Sequence, residues 1–298
     1  MKTFQIKRIL IPTDFSKTSL LAIEHAAFMA RLCKADIYLL HAIEISESTY
    51  SFYTPAVVFI DIKAVEKIAV KQLEDLAKKL RKEYGITVKT LCSLGKIHTE
   101  VGAAVIKNVI DLVVMGTHGA DGFNEFFIGS NAHKIVTKCT CPVITVQAHT
   151  KRLGFTKIIL PVDDSFNSRQ KVDYTIALAE KYAAKIYVLG LIKKNGETDS
   201  KKFKIKMDSI EKAIKKAGLP FEFKIIKDDN LAVAAMKYSK KVKADLIAVL
   251  NDRESDLTGM FLGAFAKQIV NHSRIPVMSI RPTEGIYDSV SLAAANPF

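Results

Sequence analysis

Apolar positions along this chain follow two rhythms. Short, nearly continuous apolar runs alternate with longer stretches in which apolar residues recur every three or four positions, the pattern of a parallel sheet covered by helices on both faces. In the first half the short runs are RILIPT (8–13), DIYLLHAIE (36–44), TVKTLCSL (87–94), DLVVMG (111–116) and PVITV (142–146). Their β-branched residues and leucines suit strands buried on both sides. Between them, residues 19–33 set Leu21, His25, Phe28 and Leu32 along one helical stripe, where His25 reads as a packed helix-face residue rather than a ligand. Residues 64–84 place Val65, Ile68, Leu73, Leu76 and Leu80 on one side and stop at Gly85, a residue type favoured just past helix ends.

The pattern occurs twice. KRILIPTDFS at 7–16 returns as KIILPVDDS at 157–165, which sets Pro12, Asp14 and Ser16 opposite Pro161, Asp163 and Ser165 at a shift of 149. The stretch from Asp111 to Val146 aligns without gaps on Asp245 to Ile280 at a shift of 134. The second copy therefore has a shorter middle, and residues 43–63 are the obvious counterpart of the surplus. The expected fold is α/β: two tandem doubly wound domains, each a five-stranded parallel sheet of Rossmann-like or flavodoxin-like form. Their expected bounds are 1–150 and 151–282, with a C-terminal tail over 283–298.

Composition narrows the class. The chain has 298 residues, is 49% hydrophobic and 25% charged, and carries no apolar run of membrane-spanning length. Its N-terminus breaks at Pro12 and Asp14, unlike a secretory signal, so a cytoplasmic protein with no membrane partner is expected. Cys33, Cys92, Cys139 and Cys141 suit a reducing compartment. They read as packing thiols, although Cys139-x-Cys141 also has the form of a redox pair or half a metal site. The formal net charge of +13 lies mainly in the second half, where residues 151–298 hold 26 basic and 17 acidic residues. Its lysine run at 193–206 has Phe203 as its one aromatic residue, and without a stacking platform nucleic acid is not the expected partner.

Candidate chemistry gathers after the fourth run. MGTHGADGFNEFFIGSNAHK, from Met115 to Lys134, holds Gly116, Gly119, Gly122 and Gly129, four of the chain's 14 glycines. In an open α/β sheet, ligands bind beyond the carboxyl ends of the strands where the winding reverses, and this stretch leaves a strand at that edge. Glycines there allow close backbone approach, and Gly129-Ser130 opens a helix whose free amides and positive dipole end suit a phosphate. Each glycine alone is compatible with an ordinary turn or cap.

Gly116-Thr117-His118-Gly119, nine residues, then Gly129-Ser130, together with IPTDFS at 11–16 and LLHAIE at 39–44, resembles the universal stress protein family in its tandem two-domain form. The resemblance covers roughly residues 4–148 and 154–282. It implies a fold like the adenine nucleotide alpha hydrolases and binding of ATP, ADP or AMP, with Mg2+ on the phosphates. Pro12, Thr13, Asp14 and the backbone of Ala42 would surround adenine, Gly116 would pass close to the ribose, Gly119, Gly129, Ser130 and Asn131 would hold the phosphates, and Met115, Thr117 and His118 would belong to the same site. Gly95 would complete the pocket wall, and for Asp14 a cap on the helix after it is the lesser alternative to a place in the site. His98 and His118 face the same region, without the carboxylates that a metal site needs.

The second copy departs from that pattern. Leu250, Arg253 and Ala264 stand opposite Gly116, Gly119 and Ser130, Asp229 stands opposite Gly95, and Gly263 alone answers Gly129. Side chains of leucine and arginine would fill the volume a ribose and phosphates need, so this copy is expected to have lost the nucleotide. The resemblance implies that the fifth strands pair, making the two copies an intramolecular pseudo-dimer, with a further homodimer open. The expected function is adenine-nucleotide binding in a cytoplasmic stress response, with any hydrolysis slow, since no catalytic base or arginine finger is evident. A scaffold or small-metabolite binder independent of nucleotide is the alternative.

Overall fold

The computed structural model describes residues 4–44, 61–117, 128–150, 152–194, 200–251 and 262–282. In the first half, β1 (Arg8–Pro12), α1 (Lys17–Cys33), β2 (Asp36–Ile43), α2 (Ile62–Tyr84), β3 (Val88–Leu94), α3 (Ile97–Lys107), β4 (Leu112–Gly116), α4 (Ser130–Lys138) and β5 (Val143–Val146) follow in order. The second half gives β6 (Lys157–Val162), a 3-10 turn (Phe166–Arg169), α5 (Lys171–Tyr182), β7 (Lys185–Lys193), α6 (Ser200–Lys216) and β8 (Phe221–Asp228). It ends with α7 (Leu231–Val242), β9 (Leu246–Leu250), α8 (Ala264–His272) and β10 (Val277–Ile280).

One ten-stranded sheet runs β3-β2-β1-β4-β5-β10-β9-β6-β7-β8. All neighbours are parallel except at the middle, where β5 and β10 pair antiparallel with Ile144 opposite Met278. Within the first half β1 lies between β2 and β4, so the winding reverses there and a crevice opens beyond the strand ends. Alternate residues of β1 serve opposite faces: Ile9 and Ile11 join the core under α1 and α2, Leu10 the core under α3 and α4.

Small residues seat α1 on the sheet. Its buried face is Ala22, Ile23, Ala26, Ala27, Met29 and Ala30 with His25, whereas Leu32 is 41% exposed, so the expected stripe is rotated toward the alanines. His25 is buried as a packed residue, its ring stacked 6.3 Å from Phe155 of the second half. Phe155 meets Tyr182 edge-on at 5.2 Å, and Gly154 makes room at the join, with φ of 84° and Phe28 only 3.0 Å from where a Cβ would lie. Leu73 and Leu80 of α2 are buried as expected, but Val65 and Ile68 are exposed, and Gly85 ends the helix at φ 65°. β3 and β8 are edge strands and accordingly less buried than the inner strands.

Candidate functional site

A cavity of about 500 Å3 occupies the crevice beyond β1 and β4. Pro12, Thr13 and Asp14 line it from the end of β1, Ala42 from β2, Met115, Gly116 and Thr117 from β4, and Gly129, Ser130 and Asn131 from the start of α4. Gly95, at φ 144°, is not among the residues that line the cavity, whereas Ile97 is. His118 and Gly119 lie outside the described residues, as does Gly122.

The turn after β1 is held by its own side chains. Thr13 is buried; its N–H donates to the Leu40 carbonyl at 2.8 Å, and its own carbonyl lies 2.8 Å from His41 Nδ1. Its hydroxyl sits 3.0 Å from Ser19 Oγ and accepts the Phe15 N–H at 3.0 Å. This turn holds Phe15 in the left-handed region, φ 61°, with its ring 4.8 Å from that of His41. Left-handed backbone at a residue with a bulky side chain is costly and persists only where surrounding contacts over-determine it. Ser16 caps α1, its hydroxyl accepting the Ser19 N–H at 3.2 Å. Asp14 accepts the Ser16 N–H at 3.0 Å, lies exposed at the cavity mouth, and is not the cap.

Gly116 has a packing reason to be glycine. A Cβ there would fall 2.8 Å from Thr18 Cγ2 and 3.1 Å from the Thr18 backbone, so the first turn of α1 can lie against the end of β4 only if that strand ends without a side chain. Thr117 is buried, its N–H donating to the Val146 carbonyl at 3.1 Å. Its carbonyl accepts the Gly129 N–H at 2.9 Å, which seats the start of α4 beside the strand. The Gly129 amide is therefore committed within the protein. The amides of Ser130, Asn131 and Ala132, with no acceptor in the preceding turn of the helix, are the donors that α4 offers to the cavity.

Sequence reading did not single out His41, Ser19, Glu44, Ile97, Ala132 and Ile135, which also line the cavity. His41 and Glu44 stand in the strand end LLHAIE, but a single strand does not tell which residues turn toward a crevice made by its neighbours. His98 shares a side-chain hydrogen bond with Asn131. Partial burial, with Lys134 and Lys138 nearby, holds His98 below the ordinary histidine value, so it serves Asn131 as a neutral ring. Among the described residues no cluster of three or more His, Cys, Asp or Glu is placed to hold a metal ion.

The corresponding crevice of the second half is not filled by Leu250, which lines it. A cavity of about 620 Å3 remains, lined by Asp163, Asp164, Lys171, Lys193, Asp229 and Leu250 among others. Leu250 stands opposite Gly116, and the second half differs where α1 starts. The chain there makes the 3-10 turn, and α5 begins only at Lys171. Lys171, where α1 has Ala22, is 4% exposed, and it faces Asp163. Burial opposes ionisation of Asp163, but Lys171 with Ser165 and Ser168 holds its carboxyl below the usual range. The carboxylate answering Asp14 is thus spent on an internal charge. Arg253 lies outside the described residues.

Against known proteins, the chain matches the Universal stress protein family twice, over residues 5–147 and 154–281. A universal stress protein of Methanocaldococcus jannaschii is 28% identical over 152 residues, covering 49% of this chain and 84% of that protein. A universal stress protein A homolog of Coxiella burnetii is 34% identical over 142 residues, 47% of this chain and 95% of its own. The crystal structure of a universal stress protein from Archaeoglobus fulgidus shares the fold, with a TM-score of 0.74 at 18% identity over 94% of this chain and 98% of that one. Among the described residues no helix is long and apolar enough to cross a membrane.

Proposed function

This chain belongs to the universal stress protein family, and from that premise we propose that its first domain binds ATP, ADP or AMP in the crevice between β1 and β4. The observation that carries the reading is the start of α4. Ser130, Asn131 and Ala132, whose amides lie in the first turn of the helix, line a cavity of about 500 Å3, within the range of small-ligand sites, at the point where the sheet reverses. The positive end of the helix dipole adds to their attraction for phosphate. In this reading adenine lies between the Thr13–Asp14 turn and Ala42, the ribose passes Met115 and Gly116, and the phosphates meet Ser130 and Asn131, with Gly119 beside them. In this reading Mg2+ would enter on the phosphates.

Binding rather than turnover is the proposed activity, in the cytoplasm and in response to stress. Hydrolysis needs a group that orients water and another that stabilises the transferring phosphoryl. Of the titratable groups lining the cavity, Asp14 is engaged with Ser16 and His41 with the Thr13 carbonyl, and Glu44 stands exposed at the end of β2. Two observations favour the scaffold alternative: the Gly129 amide is already bonded, and the second crevice has different chemistry. Thermal melting separates the two readings. A nucleotide at a hundredfold excess over Kd stabilises the folded state by about 2.7 kcal/mol, a melting shift of several degrees. The wild-type chain should show it with ATP, ADP or AMP plus magnesium, and a shift absent for all three favours the scaffold.

A further inference from the structure

Cys139 and Cys141 bracket the turn that leads from α4 into β5. Their Sγ atoms lie 3.5 Å apart, Cys139 buried and Cys141 partly exposed. Two cysteines whose Cβ bonds diverge cannot be bridged without moving the backbone, and a sulfur contact this short requires these bonds to converge. We propose that Cys139 and Cys141 form a reversible dithiol/disulfide pair, oxidised by hydrogen peroxide.

The pair has the features of a reactive dithiol. One thiol donates to the other, so the first ionisation of the pair is easier than that of an isolated cysteine and the second is harder. Donation from Cys141 holds Cys139 below the ordinary thiol value despite its burial, with Arg281 adding a smaller favourable charge, and Cys141 is pushed up. Among the described residues neither Cys33 nor Cys92 has a thiol partner, and burial pushes both thiols up. Peroxide, little larger than water, reaches the pair from the side on which Cys141 is exposed. The Cys139 thiolate attacks one peroxide oxygen and the O–O bond breaks, leaving Cys139 as sulfenic acid and hydroxide that takes up the thiol proton as water. The Cys141 sulfur then attacks the Cys139 sulfur, the S–O bond breaks, and the departing hydroxide takes the Cys141 proton. One peroxide is reduced to two waters as two thiols become one disulfide.

Closure draws the sulfurs from 3.5 Å to about 2.05 Å. The movement falls where the second domain grips the first, since Arg281 donates to the Lys138 carbonyl at 3.2 Å and Asn251 to the Val136 carbonyl at 2.9 Å. It also falls at the far end of the helix whose start lines the first crevice. The inference does not depend on what that crevice binds.

Native full-length protein treated with hydrogen peroxide, alkylated and cut with trypsin gives the test, because residues 139–151 form one peptide containing both cysteines. The expected result is that peptide unalkylated and lighter by two hydrogen atoms, returning to the doubly alkylated form after dithiothreitol, while Cys33 and Cys92 stay alkylated. In Cys141→Ser the sulfenic acid on Cys139 should persist and be captured by dimedone. A peptide that stays doubly alkylated, or that gains oxygen without ever losing two hydrogens, would overturn the proposal on the wild-type chain alone.

Discussion

Ser130 is the residue on which nucleotide affinity should turn. It lines the crevice at the start of α4, and a hydrogen bond to a charged group contributes about 1.5–3 kcal/mol. Ser130→Ala should weaken ATP binding by roughly 10- to 100-fold with the melt unchanged without ligand, as read by isothermal titration. Val109 makes a different prediction. It sits at φ 51°, a conformation that a β-branched residue strongly disfavours, and it is 60% exposed. Val109→Asn should raise the melting temperature by a few degrees, about 1 kcal/mol, without touching ligand binding; a lowered melt would show that the side chain has a role that strain does not describe. Residue-scale chemistry was legible where the backbone supplies it. Gly129-Ser130 announced a helix start, whereas the strained Phe15 and the His41 contact came from tertiary packing that one strand's residues do not encode.

Among elements, the contact between α1 and β4 decides the shape of the first crevice. The substitution Gly116→Ala places a methyl group 2.8 Å from Thr18 Cγ2, and overpacking of this kind costs typically 1–3 kcal/mol. The melt should fall, and Thr18→Ala in the same chain should recover part of the loss but not all, because the Thr18 backbone is also only 3.1 Å away. Full additivity of the two substitutions would refute the contact. The strands were readable from their apolar runs to within a residue or two, and α4 from Ser130 onward. The buried faces of α1 and α2 were less so, because the sheet takes alanines where close approach matters and leaves Leu32 and Ile68 outside. The repeat itself is built into element ends. Asp111 Oδ2 accepts the N–H groups of Lys7 and Arg8 as Asp245 Oδ2 accepts those of Thr156 and Lys157, and the left-handed residues Lys34 and Val109 are answered by Ala183 and Lys243.

For the whole molecule, the join between halves rests on the β5–β10 ladder and on the ring contacts of His25 with Phe155 and of Phe28 with Tyr182, and one consequence is a dependence on pH. Burial lowers the proton affinity of His25, His98 and His133 from the ordinary 6.5, with neighbouring lysines contributing at the latter two. The unfolded chain therefore binds more protons than the folded one as pH falls through that value, and stability should fall between about pH 7 and about pH 5. A melt that is flat or rises over that interval would contradict the burial argument, and His25→Gln should flatten part of the slope. The two-copy architecture was fully visible as sequence repetition, but the cavity of the second crevice was not, since Leu250 lines that space without filling it and the helix after β6 starts later than α1 does.

The central claim is that one crevice of the two takes an adenine nucleotide through the start of α4. Titration calorimetry of ATP with magnesium into the full chain tests it most directly. The account predicts one site per chain, lost in Gly119→Val, which adds a branched side chain where phosphate should approach, and retained in Gly263→Val. Two equivalent sites, or binding undiminished in Gly119→Val, would contradict it.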